Sequence, residues 1–458
     1  MDDLPPHLLL EILSRLTDST DLARCRLLSK NFNAVAREVR SINLLCTLSR
    51  YLKLRSSETK DIPTPFKTIF SNLIRNSLAL ESISIGVDKS LGGISYDDVE
   101  DESDDLYLTD VQFVKEWLPR VCKELKSLSI SDFWIQSCWR RSEILALVSS
   151  FCHVLCELEV KNAWLSVDGL KPLPMLTSLT LESIRLDDED LSKVNHCFPC
   201  LRILNLIGVG GLKDPKIHLF HLITCRWTVS NAPLSLTVIA PSLVKLELNC
   251  IEPRSLVLQT PLLSDFNLSL RKAKNFEIKE FPHLKSLQLE SADLCNLISS
   301  FPSDNSIRRL TVDSLKRVGP ADTTILSLEM LFNVFSNVSS LTLQSRAWSE
   351  MEASFLADGL QSQKGMQRLQ EIIAQLVIHD IDVTSLFIFA ILDNCSNLSD
   401  VTLLIHSKVD PNVASNLISQ CTAYHPKVRW RWGIWKEGSI DAWISDAFNL
   451  LTLLAEEN

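Results

Sequence analysis

The sequence predicts an α/β chain. Three short N-terminal helices precede a long solenoid, with a curved parallel sheet inside and helices and loops outside. Three observations carry this. From Leu80 onward a Leu-x-x-Leu-x-Leu pattern recurs, with Ile, Val or Phe allowed at the Leu positions. The first forty residues instead repeat apolar positions at helical spacing. Of 458 residues, 46% are apolar and 22% charged, enough to fill a large core.

The chain opens with Leu4-Pro5-Pro6-His7, and the two prolines suit the first turn of a helix, where a missing N–H costs nothing. Leu9, Ile12, Leu13 and Leu16 follow on one face. Thr17-Asp18-Ser19-Thr20 interrupts with cap formers, so a second helix is expected from Asp21, with Leu22, Cys25 and Leu28 as its apolar set. Ser29 caps a third, with Phe32, Val35, Ala36 and Val39 on one side. Helices this short cannot bury so much leucine among themselves. They are either a sealed cap on the next domain or a docking module for another protein.

Residues 46–79 are assigned to a linker or N-terminal cap, with Ile42–Leu54 as a linker or first strand. The repeat occupies 80–425. It is met at Leu80/Ile83/Ile85, Leu125/Leu128/Ile130, Leu155/Leu158/Val160, Leu176/Leu179/Leu181 and Leu201/Leu204/Leu206. It continues at Leu243/Leu246/Leu248, Leu263/Phe266/Leu268, Leu284/Leu287/Leu289, Ile307/Leu310/Val312, Val338/Leu341/Leu343, Ile373/Leu376/Ile378 and Leu398/Val401/Leu403. Each unit supplies a short strand and a return segment; no unit closes a core alone, but stacked units share one. Between Leu201 and Leu243 a degenerate strand is expected at Leu219–Leu222 or Leu234–Val238. Longer intervals near Leu125, Val338 and Ile373 predict full helices, and Ser349–Ile373 has helical periodicity.

Two segments stand apart. Residues 97–105 are an acidic run expected to be a solvated loop, with a docking loop or a phosphorylatable Ser103 as the other readings. Residues 426–458 read as a capping strand and helix: Val428, Trp430, Trp432 and Ile434 alternate with Arg429 and Arg431, which would protect an edge, and a helix is expected over Asp441–Leu454.

Composition narrows the chemistry. A net charge of −10 does not suit a general nucleic-acid binder, and 12 glycines argue against a Gly-rich nucleotide enzyme. The longest apolar run, Leu386–Leu392, is too short to span a bilayer, and Met1-Asp2-Asp3 lacks a basic signal start. Thirteen scattered cysteines fit a reducing compartment, cytosol or nucleus. Cys197-x-x-Cys200 has no second ligand pair, so both are expected to be small core residues, with no metal and no cofactor. No phosphate-binding loop, nucleophile elbow or zinc-protease motif appears, so no catalytic residues are expected.

A recognition face follows from the repeat. Residues flanking the inward positions point to the concave side: Glu157, Glu159, Lys161; Ser178, Thr180, Glu182; Lys245, Glu247, Asn249; Asp265, Asn267, Ser269; Ser286, Gln288, Glu290; Arg309, Thr311, Asp313; and Ser340, Thr342, Gln344. Acidic residues outnumber basic ones, which favours a basic or hydroxyl-rich protein segment as cargo.

Leu4-Pro5, Ile12-Leu13, Asp21-Leu22 and Leu28-Ser29-Lys30-Asn31-Phe32 stand at the spacings of an F-box, which residues 1–45 resemble. Pro6-His7 replaces the usual acidic pair, and Phe32 the usual Trp. The whole chain resembles plant F-box/leucine-rich-repeat proteins of the irregular kind. The resemblance implies a non-catalytic substrate receptor of a Skp–cullin–F-box ubiquitin ligase. Leu4, Pro5, Leu8, Leu9, Ile12, Leu13, Leu16, Leu22, Leu28, Lys30 and Phe32 would bind the Skp adaptor, and the repeats a target protein. Two alternatives remain: a scaffold without a ligase role, or a hormone-like receptor gated by a small molecule above Arg271, Lys272, Lys274, Arg308 and Arg309.

Overall fold

The structure, a computed structural model, describes residues 4–55, 64–93, 104–134, 140–229, 233–272, 281–303, 306–315, 326–361, 364–438 and 443–445. Two compact units divide the chain: residues 1–231 with 238–241, and residues 232–237 with 242–458.

The first unit begins with α1 (Pro6–Ser14), α2 (Ser19–Cys25) and α3 (Lys30–Ala36). Each start has a local cause. The carbonyl of Pro5 accepts from the N–H of Leu8 and of Leu9. The Asp18 carboxylate accepts from Thr20 N–H at 2.8 Å, and Ser29 Oγ from Phe32 N–H at 3.2 Å. Leu9, Leu13, Leu22, Phe32, Val35, Ala36 and Val39 close one core, with Leu4, Leu10, Leu16 and Cys25 packed at its margin.

The sheet starts sooner than the repeat pattern suggests. Its first strand, β1 (Ser41–Cys46), overlaps the start of the stretch read as a linker or first strand, whose remainder, Leu48–Arg55, is helical, and it pairs in parallel with β2 (Ser82–Val87). There follow β3 (Ser127–Ser131), β4 (Glu157–Lys161), β5 (Ser178–Glu182), β6 (Ile203–Val209) and β7 (Thr224–Val229), each parallel to its predecessor. Registers superpose the inward positions, so that Ile83, Leu128, Leu158, Leu179 and Leu204 form one buried row. The strand missing after Leu201 is β7, with Cys225 opposite Leu204 and Trp227 opposite Leu206. Of the two stretches expected to supply it, residues 235–239 form a strand outside this sheet, while Leu219 and Leu222 are buried just ahead of β7.

In the second unit, β8 (Lys245–Cys250), β9 (Asp265–Leu270), β10 (Ser286–Ser291), β11 (Arg309–Ser314), β12 (Ser340–Leu343), β13 (Glu371–Leu376), β14 (Asp400–His406) and β15 (Arg429–Trp435) stack in parallel. One repeat needs a new register. Leu341 faces Ile372 and Leu343 faces Ala374, so the unit is Leu369/Ile372/Ala374 and not Ile373/Leu376/Ile378. Full helices lie at Val111–Val121, Leu328–Val334 and Ser345–Asp358, where the long intervals call for them. The last of these stops at Gly359, whose φ of 75° breaks the helix well before Ile373.

The C-terminal expectation changes. Trp443–Ser445 is a strand, β16, antiparallel to β15, and the rest of the expected helix over 441–454 lies outside the described residues. β16 covers only Trp432–Ile434, so the Arg429–Arg431 end of β15 has no strand on that side among the described residues. Both arginines also face Asp400, at 3.3 and 3.7 Å. Most of the acidic run, Ser103 included, also lies outside the described residues. Asp105 does not: its carboxylate accepts from Phe66 N–H at 2.6 Å and Lys67 N–H at 3.0 Å, capping helix Phe66–Arg75.

Candidate functional site

Two surfaces of the first unit stand out. On the N-terminal helices the structure sorts the leucines by burial. Leu9, Leu13, Leu22 and Phe32 form the interior and offer no surface. Leu4 and Leu16 are half-buried; Pro5 and Lys30 are exposed. Leu8 (39% exposed), Ile12 (51%) and Leu28 (68%) face solvent, joined by Leu27 at 86%, which the spacing pattern does not single out. The apolar face read from Leu9, Ile12, Leu13 and Leu16 is split: α1 turns Leu9 and Leu13 inward, leaving Leu8 and Ile12 together on the outside. Isolated exposed leucines are ordinary; this many within one small helical module are an unpartnered apolar surface.

The second surface is the open face of β1–β5. Here Glu159, Lys161 and Glu182 come together: the Lys161 ammonium lies 3.0 Å from each carboxylate. Burial pushes the Lys161 amine down, but its hydrogen bonds to Glu182 and Glu159 outweigh that and raise it overall, so it stays charged. Ser129 Oγ donates to Glu159 at 2.5 Å and Ser127 Oγ to Glu157 at 3.1 Å. Toward β1 the side chains shrink: Ser84 and Ser129 continue the Glu159 row, and Gly86 and Ser131 the Lys161 row, which ends at Leu45. A cavity of about 590 Å³ results, bounded also by Phe133 and Trp134. The sequence reading lists no face residues from β2 and β3, although the same alternation marks Ser84, Gly86, Ser129 and Ser131.

In the second unit Lys245, Glu247, Asp265, Gln288, Glu290, Arg309 and Asp313 all lie on strands, on the face opposite the core. Arg309 reaches Asp265 at 3.9 Å. Glu290 stands beside Asp313, whose carboxyl is pushed up to about 6, first by burial and then by Glu290. Gln344 follows β12 at the N-cap position of the next helix, without a side-chain capping bond. The proposed basic cluster does not assemble. Arg308 and Arg309 sit at the start of β11, whereas Arg271 and Lys272 follow the end of β9, about six to eight residues or roughly 20–26 Å along the strands. Lys274 lies outside the described residues.

Cys197 is buried and Cys200 half-buried, and among the described residues no group of three or more His, Cys, Asp or Glu is placed to hold a metal. Nor is any described helix long and apolar enough to cross a membrane.

Comparison with known proteins fits this geometry. Residues 1–42, which cover α1–α3 and the start of β1, match the F-box-like family. An F-box/leucine-rich-repeat protein of Arabidopsis thaliana is 53% identical over 449 residues, spanning 97% of this chain and 100% of the relative. The chain belongs to the plant F-box/leucine-rich-repeat family. An FBD-associated F-box protein of Arabidopsis thaliana is 28% identical over 204 residues, 41% of this chain and 46% of the relative. As an F-box/leucine-rich-repeat protein, the chain carries its F-box on α1–α3 and its repeats on the sheet that begins at β1.

Proposed function

We propose that this F-box/leucine-rich-repeat protein is the substrate-recognition subunit of a Skp–cullin–F-box ubiquitin ligase. The carrying observation is the exposed apolar set Leu8, Ile12, Leu27 and Leu28 on a helical module whose own core is already closed. A Skp-type adaptor would cover that set, and through it a cullin; the repeats would hold a target protein. The chain then does no bond chemistry. It contributes effective concentration and orientation, bringing a target lysine near a ubiquitin-loaded enzyme.

Co-purification of the full chain with a Skp adaptor and a cullin tests this. Ile12→Asp combined with Leu28→Asp should abolish adaptor recovery while the thermal melt stays close to wild type, since both side chains are solvent-facing. Failure of the wild-type chain to recover any adaptor refutes the reading.

A further inference from the structure

The cavity on β1–β5 is graded in chemistry from one end to the other. At β1 stands Leu45, exposed and apolar, with Asp88 and Lys89, of opposite charge, on the lining just past β2. The floor is Ser84, Gly86 and Ser131, none large enough to fill the space above it. A Cβ on Gly86 would come within 2.8 Å of Ser131 Cβ, so the strands are already in close approach and the floor cannot be built up at that point. At β4 and β5 stand Glu159 and Glu182, two carboxylates sharing the single ammonium of Lys161. That end keeps a net negative charge after its internal pairing. Glu159 spends one oxygen on Lys161 and the other on Ser129, while Glu182 uses one oxygen on Lys161.

The two ends are three to four strands apart, roughly 14–19 Å at the usual strand spacing. A single side chain cannot reach both. An extended peptide of about four or five residues can. Its volume suits a cavity of about 590 Å³.

We propose that this cavity binds an extended segment of the target that crosses the strands, with an apolar side chain against Leu45 and an arginine against Glu182 and Glu159. An anionic segment would meet an ammonium already flanked by two carboxylates, and a wholly apolar one would bury those carboxylates without a new partner. Arginine supplies a planar, permanently charged fork that can engage a second carboxylate without displacing Lys161. The assignment rests on the substrate-receptor reading and gives that receptor's cargo a chemistry.

The test uses the full chain bound to its adaptor and degenerate pentapeptide pools of the form Leu-x-x-x-Arg, with citrulline and Glu replacing Arg in matched pools. Citrulline keeps the shape of arginine and removes its charge. The Arg pool should be retained about tenfold over the citrulline pool, the size of one charge-assisted hydrogen bond, and the Glu pool least of all. Glu182→Gln, which leaves the Lys161–Glu159 and Ser129–Glu159 contacts in place, should shrink the preference. Glu159→Gln with Glu182→Gln should erase it, because Lys161 then repels the guanidinium. Ser84→Trp, which fills the floor without altering charge, should lower retention of every pool. Equal retention of Arg and citrulline, or an Arg preference unchanged in the double variant, overturns the assignment. Adaptor recovery is read in the same eluates. Adaptor bound with no Arg preference refutes this inference alone; no adaptor bound by the wild type refutes the ligase reading.

Discussion

Asp132 gives the sharpest energetic test of the first unit. Its carboxylate is fully buried at the end of β3 and serves four donors. One oxygen accepts from Leu108 N–H at 2.8 Å and Phe133 N–H at 3.1 Å. The other accepts from Thr109 N–H at 3.0 Å and Thr109 Oγ1 at 2.5 Å. These bonds fix the segment ahead of helix Val111–Val121 against the sheet. Burial pushes the carboxyl up to about 6, against the hydrogen bonds that oppose it. Asp132→Asn keeps one acceptor oxygen and turns an amide N–H₂ toward the other pair of donors. The amide can donate to the Thr109 hydroxyl, so one buried donor, the Thr109 N–H, is left unmet, a loss of about 1–3 kcal/mol. At about 2–4 °C per kcal/mol for a unit of this size, that lowers its melting temperature by roughly 2–12 °C. The pH dependence has a definite sign. A carboxyl raised from 3.8 to about 6 binds its proton more tightly in the folded state, so its stabilisation is full below 3.8 and is lost as pH rises through about 6. Wild type therefore gains on acidification at this site and the variant does not. Melting curves at pH 5 and pH 7.5, with amide exchange over residues 104–110, should show a wider gap between variant and wild type at pH 5. A gap that narrows at pH 5 would mean the four hydrogen bonds outweigh burial, and the reasoning fails. So would a variant that melts with wild type at both pH values.

Other outcomes are equally direct. Leu13→Ala, at 2% exposure in the F-box core, should cost about 3 kcal/mol and raise protease sensitivity of residues 4–40, unlike the Ile12 and Leu28 changes on the outer surface. Trp227→Ala should destabilise the first unit by about 3–5 kcal/mol, measured by chemical denaturation, because this side chain is fully buried opposite Leu206 and its removal leaves a large cavity. Gly211→Ala should lower the melting temperature, since φ is 94° there and a Cβ would meet the Leu186 carbonyl oxygen. Burial pushes the thiols of Cys152, Cys225, Cys250, Cys395 and Cys421 up to about 12, so mass-spectrometric thiol labelling at neutral pH should leave these five unmodified until denaturant is added.

Much of the fold is legible because a leucine-rich repeat writes its core into a fixed spacing. Two of the exceptions share one cause. Cys225 and Trp227 fill inward positions of β7 and Ala374 one of β13, and none of these residue types belongs to the Leu, Ile, Val or Phe alphabet. Val39/Ile42/Leu44 does obey the spacing, but Val39 also completes the apolar side of the third helix, and the helical period masks the strand behind it. The F-box was legible as a set of helices and not as a surface. Spacing places Leu9, Ile12 and Leu13 on one face, whereas which of them is covered depends on where α2 and α3 pack. Asp132 left no signal at all. An aspartate just after a strand reads as a loop residue, and most of its partners, the backbone of Leu108 and Thr109 and the Thr109 hydroxyl, are remote in sequence.

The junction between the F-box and the repeats bears on how such a receptor would work. Asn43, in β1, donates through its backbone N–H to Ser19 Oγ and through its side-chain amide to the Thr17 carbonyl, both at 2.8 Å. Leu78 N–H donates to the carbonyl of Arg37, and the N–H groups of Glu81 and Ser82 to that of Arg40. Outside the backbone, Glu81 holds Arg40 on one oxygen and Lys126 on the other, at 2.5 and 2.7 Å. These exposed ion pairs add little stability by themselves. The buried strand pairing and the Asn43 bonds matter more, because they leave no free hinge between α3 and β1. A flexible tether would let a captured segment sample a wide volume and dilute its effective concentration at a fixed acceptor. With the helices keyed directly to the first strand, a segment held on β1–β5 under the proposed role would keep one orientation relative to the exposed Leu8, Ile12, Leu27 and Leu28. Orientation would then be what this part of the chain supplies to transfer chemistry carried out by its proposed partners.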